Sequence, residues 1–216
     1  ASDVYKRQVV LVDGDRPHTG RLGATVAGYS EAGSLMAEQA ANLLPGVPGA
    51  KKILLLAGDP HTDSHADVAR AFHAYFGERG LDYAVRDLYG AHKQIDELRG
   101  KVEVLLSDAD APGLVCSVFA VGSEVVADTL MELGLVGKIR VIASDLFPEN
   151  VIAMRRDIFT NIVYKDPIAL AYRGARMLGE YLLRGEMPAA SVLRGGADLV
   201  FRSNLDQYCR QVGIEA

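Results

Sequence analysis

Short apolar runs alternate with helical patterns along most of this 216-residue chain. Ile53–Ala57 and Leu114–Phe119 are strand-length runs of the kind found in strands buried on both faces. Tyr29–Leu44, by contrast, repeats apolar residues near the 3.6-residue period of an amphipathic helix. Strands that alternate with helices pair in parallel and receive helices on both faces. The sequence therefore predicts an α/β fold with doubly wound parallel sheets.

The same patterns place the individual elements. Strands are predicted at Val9–Val12, Leu22–Ala27, Ile53–Ala57, Tyr83–Leu88, Leu114–Phe119, Ile139–Ala143, Thr160–Tyr164 and Leu199–Arg202. Helices are predicted at Tyr29–Leu44, His92–Ser107, Ser123–Leu133, Glu149–Arg155 and Pro167–Leu183. A further helix is predicted to begin at a cap, Asp63 or Ser64, and to end at Gly80. Within His92–Ser107, Val102–Leu106 resembles a strand locally, but the longer window favours a helix.

Composition excludes several classes of protein. Hydrophobic residues make up 49% and charged residues 24% of the chain, as in an ordinary globular protein. The net charge is −5 and no basic block occurs, so these residues give no electrostatic reason to bind nucleic acid. The apolar runs are far shorter than the ~20 residues that cross a bilayer. The only two cysteines, Cys116 and Cys209, do not suggest a disulfide framework or a zinc site. This low cysteine content fits a protein of a reducing compartment.

The first eight residues differ in character from the rest of the chain. Ala1–Gln8 is polar, and Val9–Val12 then begins abruptly as a buried-type strand. Ser2–Gln8 resembles the translation of a transposon end used in sequencing libraries, so we expect residues 1–8 to be a non-native leader. The alternative is a natural polar tail.

Polar residues occur directly after the predicted strands. In doubly wound sheets, ligands bind outside the carboxyl ends of the strands. Those ends carry Asp13 and Asp15, Gly58–Asp63, Phe119–Gly122, Ser144–Leu146, and Lys165 with Asp166. The sequence therefore predicts a site for a small polar ligand, lined by several carboxylates.

Several short segments, in their order and spacing, resemble one family. They are Val10–Asp15, Tyr29–Gly33, Lys52–Gly58, Ile142–Leu146, Ile162–Pro167, Leu183–Pro188 and Phe201–Leu205. Together they resemble the effector domains of lac-repressor-type regulators and the periplasmic sugar-binding proteins (type I). The resemblance implies a two-lobed periplasmic-binding-protein-like fold with a sugar or similar molecule between the lobes. It also implies that the first lobe is incomplete here, because its opening strands and helices have no counterpart in this sequence.

The resemblance further implies a division of the chain. Residues 9–28 would be a remnant of the first lobe and residues 29–160 the second lobe. Residues 161–200 would return to the first lobe, and residues 201–216 would form a crossover and tail.

The sequence departs from the family pattern at positions that usually bind ligand. The family's Asp-Asn pair falls on Gly28 and Tyr29, and its helix arginine falls near Val68, with Arg70 as a displaced candidate. The asparagine of the fourth loop falls near Gly122 and Ser123, and the crossover glutamine is Lys165. These changes put the usual sugar specificity in doubt.

Seven residues are candidate ligand contacts. Asp13 and Asp145 can accept hydrogen bonds from vicinal hydroxyls, although Asp13 could instead shape a turn and Asp145 could cap the helix at Pro148. Tyr29 and Phe119 can stack on a sugar ring or pack in the core.

The other three candidates carry polar or charged groups. Asp63 and His65 belong to the run Asp59–Asp67, whose spacing matches no known metal motif, so a ligand contact or helix cap is favoured over a metal. Lys165 can neutralise an acidic ligand or pair with Asp145.

A binding protein without catalysis or cofactor is the leading hypothesis. The nucleophile elbow and the nucleotide-binding glycine fingerprint are absent. We expect a cytoplasmic effector domain of a lac-repressor-type regulator that forms a homodimer, binds operator DNA through an upstream domain and does not contact a membrane. The alternative is the periplasmic or extracellular binding component of a sugar importer. A third class is a metal enzyme built around His61.

Overall fold

The computed structural model describes residues 8–46, 51–90 and 94–214 of the chain. The strands are β1 (Val10–Val12), β2 (Gly23–Val26), β3 (Lys52–Gly58), β4 (Ala84–Tyr89), β5 (Leu114–Ser117), β6 (Arg140–Ser144), β7 (Asn161–Tyr164), β8 (Val192–Arg194) and β9 (Asp198–Val200). The helices are α1 (Tyr29–Leu43), α2 (Asp63–Glu78), α3 (Ile95–Ser107), α4 (Ala120–Glu132), α5 (Pro148–Arg155), α6 (Pro167–Arg184) and α7 (Leu205–Val212). The predicted leader falls almost wholly outside the described residues.

The chain divides into two compact units. The first comprises residues 1–28 and 165–197, and the second comprises residues 29–164 and 198–216. The strand Asn161–Tyr164, expected in the returning segment, pairs with β6 inside the second unit. The last predicted strand is found as β9, which pairs with β7 in that same sheet. Residues 161–164 and 198–200 therefore fall in the second unit, because the strands they form pair within its sheet.

The first unit is a small parallel sheet with one helix. Its strand order is β1-β2-β8, and α6 packs on β1 and β2. Helix and sheet approach closely at Gly174, where an added Cβ would lie 2.9 Å from Val12 Cγ2. Thr25 Oγ1 donates a hydrogen bond of 3.1 Å to the Leu170 carbonyl, which ties the buried strand β2 to the helix.

The second unit is built on a six-stranded sheet of order β4-β3-β5-β6-β7-β9. All neighbouring strands are parallel except β7 and β9, which are antiparallel. The central strands β3, β5 and β6 are almost entirely buried, as their continuous apolar runs predicted. The predicted α/β class with parallel sheets is therefore confirmed, with one antiparallel strand at the edge.

Helices α1 and α2 pack closely together in the second unit. An added Cβ on Gly33 would lie 2.2 Å from the Val68 carbonyl oxygen, so the two backbones touch where only glycine fits. Helix α3 packs on α4, and α4 packs on α5. The window His92–Ser107 is helical from Ile95, while His92 itself lies outside the described residues. None of the helices in the described segments is long and apolar enough to cross a membrane.

Candidate functional site

The strand order of the second unit reverses between β3 and β5. From β3 the chain moves to β4 on one side, and it then returns to β5, β6 and β7 on the other side. Such a reversal leaves a crevice outside the carboxyl ends of the two strands at the switch, which is where ligands bind in doubly wound sheets. Two predicted site residues, His65 and Phe119, come after these two strands.

His65 is fixed above the end of β3. The backbone N–H of Asp59 donates a hydrogen bond of 3.1 Å to His65 Nδ1. Gly58 has a φ of +69°, and an added Cβ there would lie 2.5 Å from His65 Nδ1. Because Nδ1 accepts, the proton of the neutral ring is on Nε2. His65 is therefore oriented with an N–H donor at the far side of its ring.

Phe119 lies at the end of β5 and contacts His65. The two ring centroids are 5.2 Å apart, with 38° between the ring planes. An added Cβ on Gly122 would lie 2.6 Å from Phe119 Cε1, so the first turn of α4 encloses the ring. Only 4% of Phe119 is exposed, so it offers little free ring face for stacking.

Asp145 comes directly after β6, the strand next to β5. Its φ of +68° lies in the left-handed region, which aspartate tolerates better than most residues. Its N–H donates a 2.9 Å hydrogen bond to the Val163 carbonyl, and its carbonyl accepts one of 3.0 Å from Asn150 Nδ2. The same Asn150 amide also donates to the Ser144 carbonyl at 2.9 Å. The backbone of Asp145 is thus fixed on both sides.

Asp145 is not itself the N-cap residue of the next helix. Helix α5 has Phe147 as its N-cap, without a side-chain cap hydrogen bond. The buried Asn150, which anchors Asp145, was not among the predicted residues. No sequence signal could have found it, because its function depends on tertiary contacts at the strand end.

Tyr29 and Asp63 begin two helices of the same unit. Tyr29 is the first residue of α1, and Asp63 is the first residue of α2 and is exposed. The expected cap at Asp63 or Ser64 is wrong, because the N-cap is Thr62 and makes no side-chain cap hydrogen bond. Asp63 instead contributes its negative charge to the first turn, where the helix dipole favours it.

The rest of the acidic and histidine-containing run makes local contacts. Asp59 Oδ1 accepts a 2.9 Å hydrogen bond from the N–H of His61. Arg70, the displaced candidate for the family's arginine, pairs with Asp67 at 2.5 Å on an exposed face, and Val68 is buried. Within the described residues, no group of three His, Cys, Asp or Glu side chains could hold a metal ion.

The first unit contains the two other predicted site residues. Asp13 is exposed directly after β1, with a φ of +60°. Lys165 is partly exposed and precedes Asp166, whose carboxylate accepts a 2.9 Å hydrogen bond from the Ala169 N–H and caps α6. The structure therefore places Asp13 and Lys165 in one unit, and Tyr29, Asp63, His65, Phe119 and Asp145 in the other.

An ion pair orders the loop between β1 and β2. The Arg21 guanidinium donates to Asp15 and holds the pKa of that carboxyl below its ordinary value, mainly through the hydrogen bond. Arg21 Nη1 also donates a 3.3 Å hydrogen bond to the Ser191 carbonyl, next to β8. This loop, which begins at Asp13, is thereby linked to the third strand of its sheet.

Comparison with solved structures gives consistent matches. A periplasmic ribose ABC transporter protein from Conexibacter woesei matches with a TM-score of 0.80 at 18% identity, over 95% of this chain and 68% of that chain. A carbohydrate transporter solute-binding protein from Agrobacterium radiobacter, in complex with D-arabinose, matches with a TM-score of 0.80 at 15% identity. The match covers 96% of this chain and 70% of that chain. A putative LacI transcriptional regulator from Bacteroides fragilis matches with a TM-score of 0.79 at 13% identity. The match covers 92% of this chain and 68% of that chain.

Sequence comparison gives the family. No curated protein sequence matches the chain. The family model described as "Periplasmic binding protein domain" matches residues 6–187, which is most of the chain. The likeness to the solved structures agrees with this match at the level of the fold. The chain belongs to the periplasmic binding protein domain family.

Proposed function

We propose that this chain binds a sugar or sugar derivative at the carboxyl edge of the second unit's sheet, and that it acts as a binding module without catalysis. The observation that carries the proposal is the fixed backbone of Asp145, next to the strand switch where His65 and Phe119 meet. A carboxylate accepts hydrogen bonds from neighbouring hydroxyls, and a residue already held in place loses little conformational entropy on binding. The names of similar proteins, which include ribose and D-arabinose, support a ligand of this class.

Within this function, we propose an effector domain of a lac-repressor-type regulator. Such a domain would act as a homodimer and control operator DNA through a segment upstream of this chain, in the cytoplasm. The likeness to a LacI-type regulator supports this role. The segment Phe201–Leu205, which resembles a last strand in sequence, forms a turn that leads into α7. A ligand that closes the binding module would bias such a dimer between DNA-binding states.

A second candidate role is the binding component of a sugar importer, outside the cytoplasm. Two of the three solved structures named above are transporter components, which favours it. The intact gene distinguishes the two roles. A helix-turn-helix segment upstream would support the regulator, and a signal peptide would support the importer.

The first test concerns Asp145. Asp145→Asn keeps the shape of the side chain and tolerates the left-handed backbone, but it removes the charge. It should weaken sugar binding by roughly 1.5–3 kcal/mol, the range for hydrogen bonds to charged groups. Calorimetry with D-ribose, D-arabinose, D-glucose and D-galactose measures the loss.

A matched control exists in the same unit. Asp157 also has a positive φ, of +58°, but it lies after α5 and before β7, at the opposite edge of the sheet. Asp157→Asn should leave sugar affinity unchanged. Equal losses in both variants, or no loss in Asp145→Asn, would remove Asp145 from the site.

The second test concerns the charge of the ligand. Lys165 occupies the position of the family's neutral glutamine, so it can offset an acidic group on the ligand. Lys165→Gln should weaken binding of sugar acids, such as D-gluconate, more than binding of the neutral sugars, and added salt should reduce the difference. Equal losses for acidic and neutral ligands would reject the charge role.

A further inference from the structure

A groove lies between α4 and α5 of the second unit, and its lining includes Asn150, whose amide holds the carbonyl of Asp145. Its volume is about 250 Å³. Three carboxylates line it: Glu124 and Asp128 from α4, and Glu149 from α5. One basic residue, Arg156, also lines it. The groove is therefore acidic on balance.

The carboxylates of this groove repel one another. The pKa of Glu124 is raised, first by partial burial and then by the charges of Glu149 and Asp128. Asp128 is paired with Arg99 of α3 at 2.7 Å. Among the described residues, neither Glu124 nor Glu149 takes part in an ion pair or a side-chain hydrogen bond. A cation placed between these two carboxylates would relieve the repulsion.

The groove also has apolar surface. Ala127 of α4 and Ala153 of α5 line it and are almost fully buried. Met131 and Ile152, which line it as well, are 43% and 50% exposed. Small side chains beside larger exposed ones leave room for an aliphatic chain from outside. The groove thus combines negative charge with apolar contact.

We propose that this groove docks a segment of another protein that presents an arginine or lysine beside an aliphatic side chain. The long apolar stem of such a residue can pack on the exposed Met131 and Ile152 while its charged head reaches Glu124 and Glu149. Charge complementarity of this kind selects partners and speeds their encounter.

Charge argues against a second copy of this chain as the occupant. A two-fold contact places the same surface patch on both sides of the interface. Glu124 and Glu149 would then face the same carboxylates on the partner, and like charges across an interface are costly. A homodimer of this chain is therefore expected to use a different surface.

The test is an NMR titration of the whole chain, labelled with ¹⁵N, using a short peptide with two arginines between leucines. A peptide of the same sequence with citrulline in place of arginine keeps the shape but lacks the charge. The arginine peptide should shift resonances of α4 and α5, and the citrulline peptide should not. Glu124→Gln combined with Glu149→Gln should weaken peptide binding by roughly fivefold or more, the upper range for partly exposed ion pairs.

Matched controls separate docking from general charge and from folding. Glu38→Gln combined with Glu78→Gln removes the same charge from exposed positions on α1 and α2, and should leave peptide affinity unchanged. Removing the repelled charge of Glu124 should stabilise the fold, so lost binding in the groove variant would not reflect unfolding. Sugar binding, measured in parallel, should be unchanged in the control variant.

Three results would overturn the proposal. The first is equal binding of the arginine and citrulline peptides. The second is equal loss of affinity in the groove and control variants. The third is a molar mass by light scattering that doubles with concentration and returns to that of a monomer in the groove variant, because a second copy would then occupy the groove.

Discussion

Asp145 and Gly58 show how single backbone conformations position the candidate site. Both have positive φ values, of +68° and +69°, and both terminate strands of the second unit's sheet. Gly58 permits the close approach of His65, and the Asn150 amide fixes the carbonyl of Asp145. The sequence predicted His65 and Asp145 from their positions after buried strands. It could not predict Asn150, which lies on the next helix and acts through its folded contacts.

Glu124 provides a prediction at this scale. Its pKa is raised in the folded protein, so the folded state binds the proton more tightly than the unfolded state does. Charged Glu124 therefore costs stability, and this cost grows as the pH rises from the unfolded pKa through the raised folded pKa. Glu124→Gln should increase the free energy of unfolding at pH 7.

The pH dependence separates this effect from a packing change. At a pH below the unfolded pKa, both states of the wild type carry a protonated Glu124, so the variant should have little advantage there. Denaturant unfolding of both proteins at acidic and neutral pH measures the difference. An advantage of the same size at both pH values would mean that the gain does not come from the charge.

At the scale of elements, the first residues of α6 combine a cap with an unusual backbone. Asp166 has a φ of +38°, and its carboxylate accepts a hydrogen bond from the Ala169 N–H at 2.9 Å. Pro167 then fixes the first helical position, and Gly185, with a φ of +69°, ends the helix. The sequence predicted this helix from Pro167 to Leu183, and the structure extends it by one residue.

Asp166→Ala should destabilise the first unit. The change removes the cap and leaves an alanine in the left-handed region, which together cost roughly 1–3 kcal/mol. Asp166→Asn should cost much less, because asparagine is also a good N-cap and tolerates this conformation. Circular dichroism melts of both variants measure the effect. Similar losses in the two variants would show that the carboxylate charge, rather than the cap, is what matters.

Most elements with strong local patterns were predicted, whereas β8 and α7 were not. The buried strands β3 and β5 have continuous apolar runs that only a central strand explains. The strand β8 has three residues, too few for any periodicity to show. Pairing with β2 therefore stabilises β8 more than its local sequence does. Helix α7 does carry a helical pattern, because Leu205, Tyr208, Cys209 and Val212 recur at i, i+3, i+4 and i+7, but the segment is only eight residues long and was not predicted.

At the scale of the whole chain, the two units differ in how much structure supports them. From residue 8 onward, the first has three strands and one helix. Its edge strand β1 is flanked by Val9 and includes Val12, which are 50% and 49% exposed. Exposed apolar side chains on an edge strand leave this small sheet less well covered than the sheet of the second unit. The second unit has six strands with buried central members, so it should be the more stable of the two.

This difference predicts two unfolding transitions in calorimetry, with the first unit melting at the lower temperature. Two of the proposed variants assign the transitions. Asp166→Ala should lower only the first transition, by several degrees for each kcal/mol lost from a unit of this size. Glu124→Gln should raise only the second transition at neutral pH, because Glu124 lies in the second unit. A single transition that both variants shift would show instead that the two units unfold as one cooperative structure.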